Sequence, residues 1–189
     1  MYRFLWVQRQ IQQLRKIKSE HDLLPALETN ILSDLDKLYE DDMSQILNAG
    51  NTSRQLAVQV FSWLLYMKAP LTPTALLAAI TTASIGSISL SPADVSTLCS
   101  NFVMVDLYHE VVRLAHHSIQ EYILRTHQSL FSAPVAHALL ASTCIKASSH
   151  GPPGNIDLVS QLKDFYFYAA THWAIHFENS KVVSQDAEL

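Results

Sequence analysis

The sequence predicts a mainly α-helical protein with one two-stranded β-hairpin set between helices. Three observations point there. Hydrophobic residues make up 49% of the 189 residues and charged residues only 16%, which supplies a core and leaves surface suited to cover by a partner. Glycine is scarce, at 4 residues, which disfavours an all-β fold. Apolar residues recur at helical spacing along most of the chain, and only Phe102 to Ala115 reads as strand.

From the N-terminus, Leu5, Val7, Ile11, Leu14 and Ile17 share a helical face over residues 2–17. Arg15, Lys16 and Lys18 suit the negative end of that helix dipole. Ser19 to Pro25 is a linker or helix start. Leu27, Ile31, Leu32, Leu35, Leu38, Tyr39, Met43, Ile46 and Leu47 then mark one or two amphipathic helices. The acids Asp34, Asp36, Glu40, Asp41 and Asp42 lie between them. No glycine-bearing, oxygen-rich loop accompanies these acids, so they read as a solvated face rather than a calcium site.

Asn48 to Ser53 is a turn in which Gly50 closes one helix and Thr52 or Ser53 caps the next. That helix, Arg54 to Met67, is apolar on most sides and is expected to be central. Thr72-Pro73 starts a second helix, Thr74 to Thr82. Ser84 to Leu90 is a loop, and Ser91-Pro92 starts a third helix that runs to about Asn101. Phe102 to Asp106 is a buried strand, and Val111 to Ala115 is its return. The turn between them lacks the Gly or Asn that a tight hairpin prefers. Ser118, with Glu121 completing a capping box, starts a helix bearing Ile119, Tyr122 and Ile123. Three helices, a hairpin and a helix follow the order of a winged-helix domain.

Ser132 and Pro134 open the next helix, and Ser148 to Asn155 is the clearest loop in the chain. The last helix, Asp157 to Asn179, carries Phe165, Tyr166, Phe167, Tyr168, Trp173 and Phe177. The division expected is a helical segment over 1–50, a winged-helix domain over 51–127 and a C-terminal helical extension over 128–189.

Composition narrows the function classes. The formal net charge is −4, and no Lys or Arg occurs from Ala69 to Val112. Nucleic-acid binders need cations for phosphates, and the third helix offers an Asp and none. The apolar run Leu56 to Met67 is too short to span a bilayer. Cys99 and Cys144 have no C-x-x-C spacing and fall on apolar helix positions, so inert core thiols in a reducing compartment are expected. His172 and His176 have the i, i+4 spacing of metal ligands. The zincin pattern needs Glu beside the first histidine where Trp173 stands, and no third ligand is indicated, so packing is expected and no metal. No G-x-S-x-G elbow exists, which leaves Ser118 as a cap rather than a nucleophile.

Leu114-Ala-His-His-Ser-Ile-Gln-Glu-Tyr122 resembles the end of the winged-helix domain in NACHT-type STAND NTPases of fungal type. A closely similar module takes its name from sequences labelled GPI inositol-deacylase. Other stretches agree in order. Met1-Tyr-x-Phe-Leu-Trp-Val-x-x-Gln10 is similar to the helix leaving the NACHT core. Leu24-Pro25 with Leu35-x-x-Leu-Tyr39, and then Ala69-Pro-Leu-Thr72, resemble the segments entering the winged helix. Leu98-Cys99, Phe102-Val103 and Val105-Asp106 match the first strand, and Tyr168-Ala-Ala-x-x-Trp173 with His176 resembles the helix before the repeats.

The departures are the absence of G-x-x-x-x-G-K-[ST], of an acidic Mg²⁺-binding strand and of ankyrin-type repeats. The resemblance implies a fragment from the middle of such a protein, lacking the NACHT core. It implies a cytoplasmic, non-catalytic signalling module that packs on a NACHT nucleotide domain and relays its state, with that domain and a repeat domain as partners. Neither DNA nor membrane is an expected partner, and no oligomeric state is assigned. His116 would contact the ADP phosphate only when a NACHT core is present. This chain alone is expected to hold no ADP or ATP, and no lipid-hydrolase activity is expected. The alternative is a winged-helix nucleic-acid-binding adaptor.

Overall fold

The structure, a computed structural model, describes residues 36–83, 90–150 and 156–181. The expected helix over 2–17, the linker at Ser19 to Pro25, the loop 84–89 and the tail after 181 lie outside the described residues. Two compact units divide the chain, Met1–Ser44 and Gln45–Leu189. In the first, residues 36–44 are helical, with Glu40 and Asp41 exposed and Met43 buried.

In the second unit, residues 45–48 are helical, and α1 (Asn51–Tyr66) is the central element. It touches α2 (Pro73–Ala83), α3 (Pro92–Leu98), α5 (Gln128–Phe131), α6 (Ala133–His150) and one strand. Its buried residues Leu56, Ala57, Val60, Phe61 and Trp63 explain the centrality. The Phe61 ring lies 6.0 Å from Phe102 and 5.9 Å from Phe131, joining α1 to the hairpin entry and to α5. Trp63 lies 6.0 Å from Phe165 and 5.5 Å from Tyr168, joining α1 to α7 (Ile156–Ser180).

The helix starts test the local rules. Thr72 accepts from the Ala75 amide at 3.2 Å ahead of Pro73. Ser91 and Asp94 form a reciprocal capping box on α3, the Ser91 amide donating to Asp94 Oδ2 at 2.7 Å. At α1 the expectation fails: Gly50 is the N-cap without a side-chain bond, and Thr52 and Ser53 already lie inside the helix. The third helix also ends early. Ser100 takes a φ of 50°, and a 3-10 turn, Ser100–Phe102, leads into the hairpin.

The hairpin pairs β1 (Val103–Asp106) with β2 (Val111–Leu114) antiparallel, Val105 opposite Val112 and Met104 opposite Arg113. Val103 and Val112 are buried; Met104 and Arg113 are exposed. Without a turn glycine, Asp106 does the work of the turn. Its Oδ1 accepts the Tyr108 and His109 amides at 3.1 and 3.0 Å, and Glu110 takes the left-handed position at φ 52°.

After α4 (His117–Thr126) the chain breaks at His127 and forms the short helix α5, whose Phe131 is fully buried. Helix α6 runs through Ser148 and Ser149, expected as loop, to His150. Helices α6 and α7 pack along each other, and α2 packs against both. The stretch Gln128–Ser149 is long and apolar enough, at hydropathy 1.3, to pass as a membrane span by composition. Its buried Ala136, Leu140, Ala141, Cys144 and Ala147 form the α6 core face, and α1, α2 and α7 pack against that helix.

Candidate functional site

His116 sits where β2 hands over to α4. The Ala115 amide donates to the Phe102 carbonyl at 2.9 Å, which fixes the strand exit. Ile119, Tyr122 and Ile123 are buried, which fixes the helix. Between these anchors His116 is extended, at φ −155° and ψ 152°, and is the N-cap residue of α4. Its carbonyl accepts the Ile119 amide at 3.2 Å. Its Nδ1 accepts the Ser118 amide at 3.3 Å and lies 2.8 Å from the Ser118 hydroxyl.

This overturns the cap expected at Ser118. Ser118 already has helical backbone as the second residue of α4, so it is not the N-cap residue, and Glu121 is too far along to complete a box. The imidazole takes the role instead. An amide donor facing Nδ1 leaves that nitrogen only the acceptor role, so the neutral ring carries its proton on Nε2. His116 therefore presents an N–H donor on an exposed ring. His117, also exposed, lies with its ring 4.1 Å from that of His116.

A second constellation was only half visible in the sequence. The spacing in sequence links His176 to His172, but its partners come from elsewhere. The Lys68 amide donates to the Tyr168 hydroxyl at 2.9 Å, and that hydroxyl lies 2.8 Å from His176 Nε2. His176 Nδ1 lies 2.7 Å from Nδ1 of His137 on α6. The Lys68 amide can only donate, so the Tyr168 proton points to His176. His176 then carries its own proton on Nδ1 and gives it to His137. Both nitrogens of His176 are thus occupied within a protein network, while His172 packs its ring 4.6 Å from that of Tyr168. His137 carried no signal in sequence, because its partner is 39 residues away on another helix.

Other candidates resolve simply. Cys99 and Cys144 are buried free thiols, burial pushing Cys144 up to about 12 and Cys99 higher still. Among the described residues no group of three or more His, Cys, Asp or Glu side chains could hold a metal ion. On the wing, His109 Nδ1 lies 2.7 Å from Asp106 Oδ2, and this hydrogen bond, first, holds the Asp106 carboxyl below its usual value. An open groove of about 530 Å³ runs beside α3, lined by Gln45, Leu56, Leu90, Asp94 and Thr97. Among the described residues that line it, the one carboxylate, Asp94, is already held by Ser91.

Comparison with known proteins agrees with this architecture. No curated protein and no solved structure matches the chain. Residues 43–133 match the family described as GPI inositol-deacylase, winged helix domain. That span runs from Met43 through the hairpin and α4 to the first residue of α6, so the chain contains a winged-helix domain with helices continuing beyond it.

Proposed function

We propose that the chain is a non-catalytic regulatory and interaction module of a STAND-type NACHT signalling ATPase, packing on the nucleotide domain and relaying its state. The observation that carries this reading is His116. It is an exposed imidazole whose Nδ1 is occupied by its own helix start, so that Nε2–H is left to donate. A phosphate oxygen is a suitable acceptor for that proton. The sequence has no glycine-rich loop to cradle phosphates, so the nucleotide would arrive on a separate domain.

The relay has a physical basis in the same junction. The ring, the β2 exit and the first turn of α4 are joined by hydrogen bonds, so force on the imidazole would move the start of α4. At the far end of α4 the Tyr122 hydroxyl lies 3.3 Å from His127 Nε2, at the break before α5. A signalling element needs two packings of such a junction rather than a catalytic group. The test is a titration of the chain with a separately produced NACHT nucleotide domain, loaded with ADP or with a non-hydrolysable ATP analogue. Tighter binding to the ADP form, with the preference lost in His116→Ala, supports the reading. Equal binding to both forms, or none, overturns it.

A further inference from the structure

The α6–α7 hairpin is connected through residues 151–155. At its opposite end, far from that connection, two histidines face each other across the helix pair. His137 is 4% exposed and His176 is 0% exposed, and their Nδ1 atoms are 2.7 Å apart. We propose that His137 and His176 form an acid-sensitive clasp that holds the end of α7 against α6 and α1 while one proton lies between their facing nitrogens. Added protons release it. The inference is independent of the reading of His116.

The hydrogen-bond polarity carries the argument. In the neutral network each contact has one donor and one acceptor: Lys68 amide to Tyr168, Tyr168 to His176 Nε2, His176 Nδ1 to His137 Nδ1. The first added proton reverses the chain. His137 becomes the donor, the His176 proton moves to Nε2, and the Tyr168 oxygen, already accepting from the Lys68 amide, must turn its own proton elsewhere to accept a second N–H. The second added proton sets N–H against N–H across the shared contact. Two like charges then sit together in a buried position, which the protein relieves by separating them.

The surroundings offer no compensation. Tyr168 and His172 face the pair from α7, the Tyr66 ring lies 5.2 Å from that of His137, and Cys144 of α6 acts on Tyr168. The Lys68 cation adds repulsion. Helices α2 and α5 contain no titratable residue. Among the described residues, none of the charges acting on either histidine is a carboxylate. Burial, then His137, Lys68 and His172, bring His176 down to about 4, and burial followed by Lys68 lowers His137. The ring of Trp63 lies 6.4 Å from His176, so opening the clasp unpacks an aromatic cluster that optical signals report.

The experiment is an acid titration of the full chain by near-ultraviolet circular dichroism, with hydrogen exchange read in parallel. The expected result is a step between the ordinary histidine value of 6.5 and about 4, steeper than one proton. Exchange, corrected for pH, rises about tenfold or more in residues 172–180 while β1 and β2 stay protected. In His137→Asn the amide oxygen accepts the His176 proton without titrating and without the N–H against N–H clash, so the step becomes shallower, falling to that of a single proton. In Tyr168→Phe the neutral form loses its donor to His176, so the step moves to higher pH. The exposed wing variant His109→Asn leaves it in place. The proposal is overturned if His137→Asn keeps the wild-type steepness, or if the strands exchange together with α7. If His137→Asn does not fold, an unmoved midpoint in Tyr168→Phe overturns it equally.

Discussion

Phe61 is the side chain on which the winged-helix core turns, and Phe61→Ala puts a number on that. The ring is fully buried and meets Phe102 at 6.0 Å with a 59° tilt and Phe131 at 5.9 Å nearly edge-on at 85°. Removing a buried phenyl group costs about 3–5 kcal/mol in transfer and cavity terms. The upper half of that range applies, because the neighbouring rings are stiff and come from separate elements, so the site collapses poorly. Taking about 4 kcal/mol and a urea slope of about 2 kcal/mol per molar, the midpoint falls by about 2 M. Phe61→Leu keeps most of the volume and loses about 1–2 kcal/mol, mainly the aromatic geometry. A double-mutant cycle with Phe131→Leu should show coupling of about 0.5–1.5 kcal/mol. A loss under about 1.5 kcal/mol in Phe61→Ala, or equal losses in the Ala and Leu variants, refutes the assignment of Phe61 as the joint between α1, the hairpin and α5.

Three further outcomes are expected. His116→Ala removes the cap of α4 and lowers stability by about 1 kcal/mol, whereas Ser118→Ala, which keeps the amide that the imidazole accepts, loses only a few tenths by thermal melting. The reverse order would restore Ser118 as the cap. Ser91→Ala costs about 1 kcal/mol by breaking the α3 capping box. The Ser91 amide, then its hydroxyl, holds the Asp94 carboxyl below its usual 3.8, so its contribution is present above that value and fades as pH falls through the lowered one. Acid melting of Asp94→Asn should lose that dependence. Cys99 and Cys144 should resist a thiol reagent in the native chain at pH 8 and both react once urea unfolds it; rapid native labelling of either would contradict its burial.

Much of the architecture was legible because its signals are local. Thr72-Pro73 and Ser91-Pro92 mark helix starts by fixing backbone angles and supplying a hydroxyl, and both starts appear where expected. The hairpin is legible from Phe-Val-Met-Val and Val-Val, while its turn is not, since Asp106 and a left-handed Glu110 replace the glycine that local rules look for. The caps at Gly50 and His116 are hidden for a related reason. Each has a hydroxyl residue within the next three positions, and sequence alone does not say at which of them the backbone becomes helical. The position of His116 at the strand exit could be read; the protonation of its ring could not, because that follows from an amide only the fold aims at Nδ1. The pairing of His137 with His176 has no spacing at all in the chain.

The membrane-like composition of Gln128–Ser149 has a consequence for the order in which the protein is made. The face of α6 formed by Ala136, Leu140, Cys144 and Ala147 is completed by α7, its most extensive neighbour. On a ribosome, α7 emerges after α6, so for the time it takes to add about 30 residues the nascent chain displays a long greasy helix without its mate. The winged-helix segment upstream can condense during that interval, through α1 and the hairpin. The hairpin of α6 and α7 then zips last, from the connection toward the histidines. Chaperone demand should therefore last until α7 has emerged from the ribosome, and a nascent chain exposed only as far as the residue before Phe165 should be bound by chaperones and lack a protected α6–α7 hairpin.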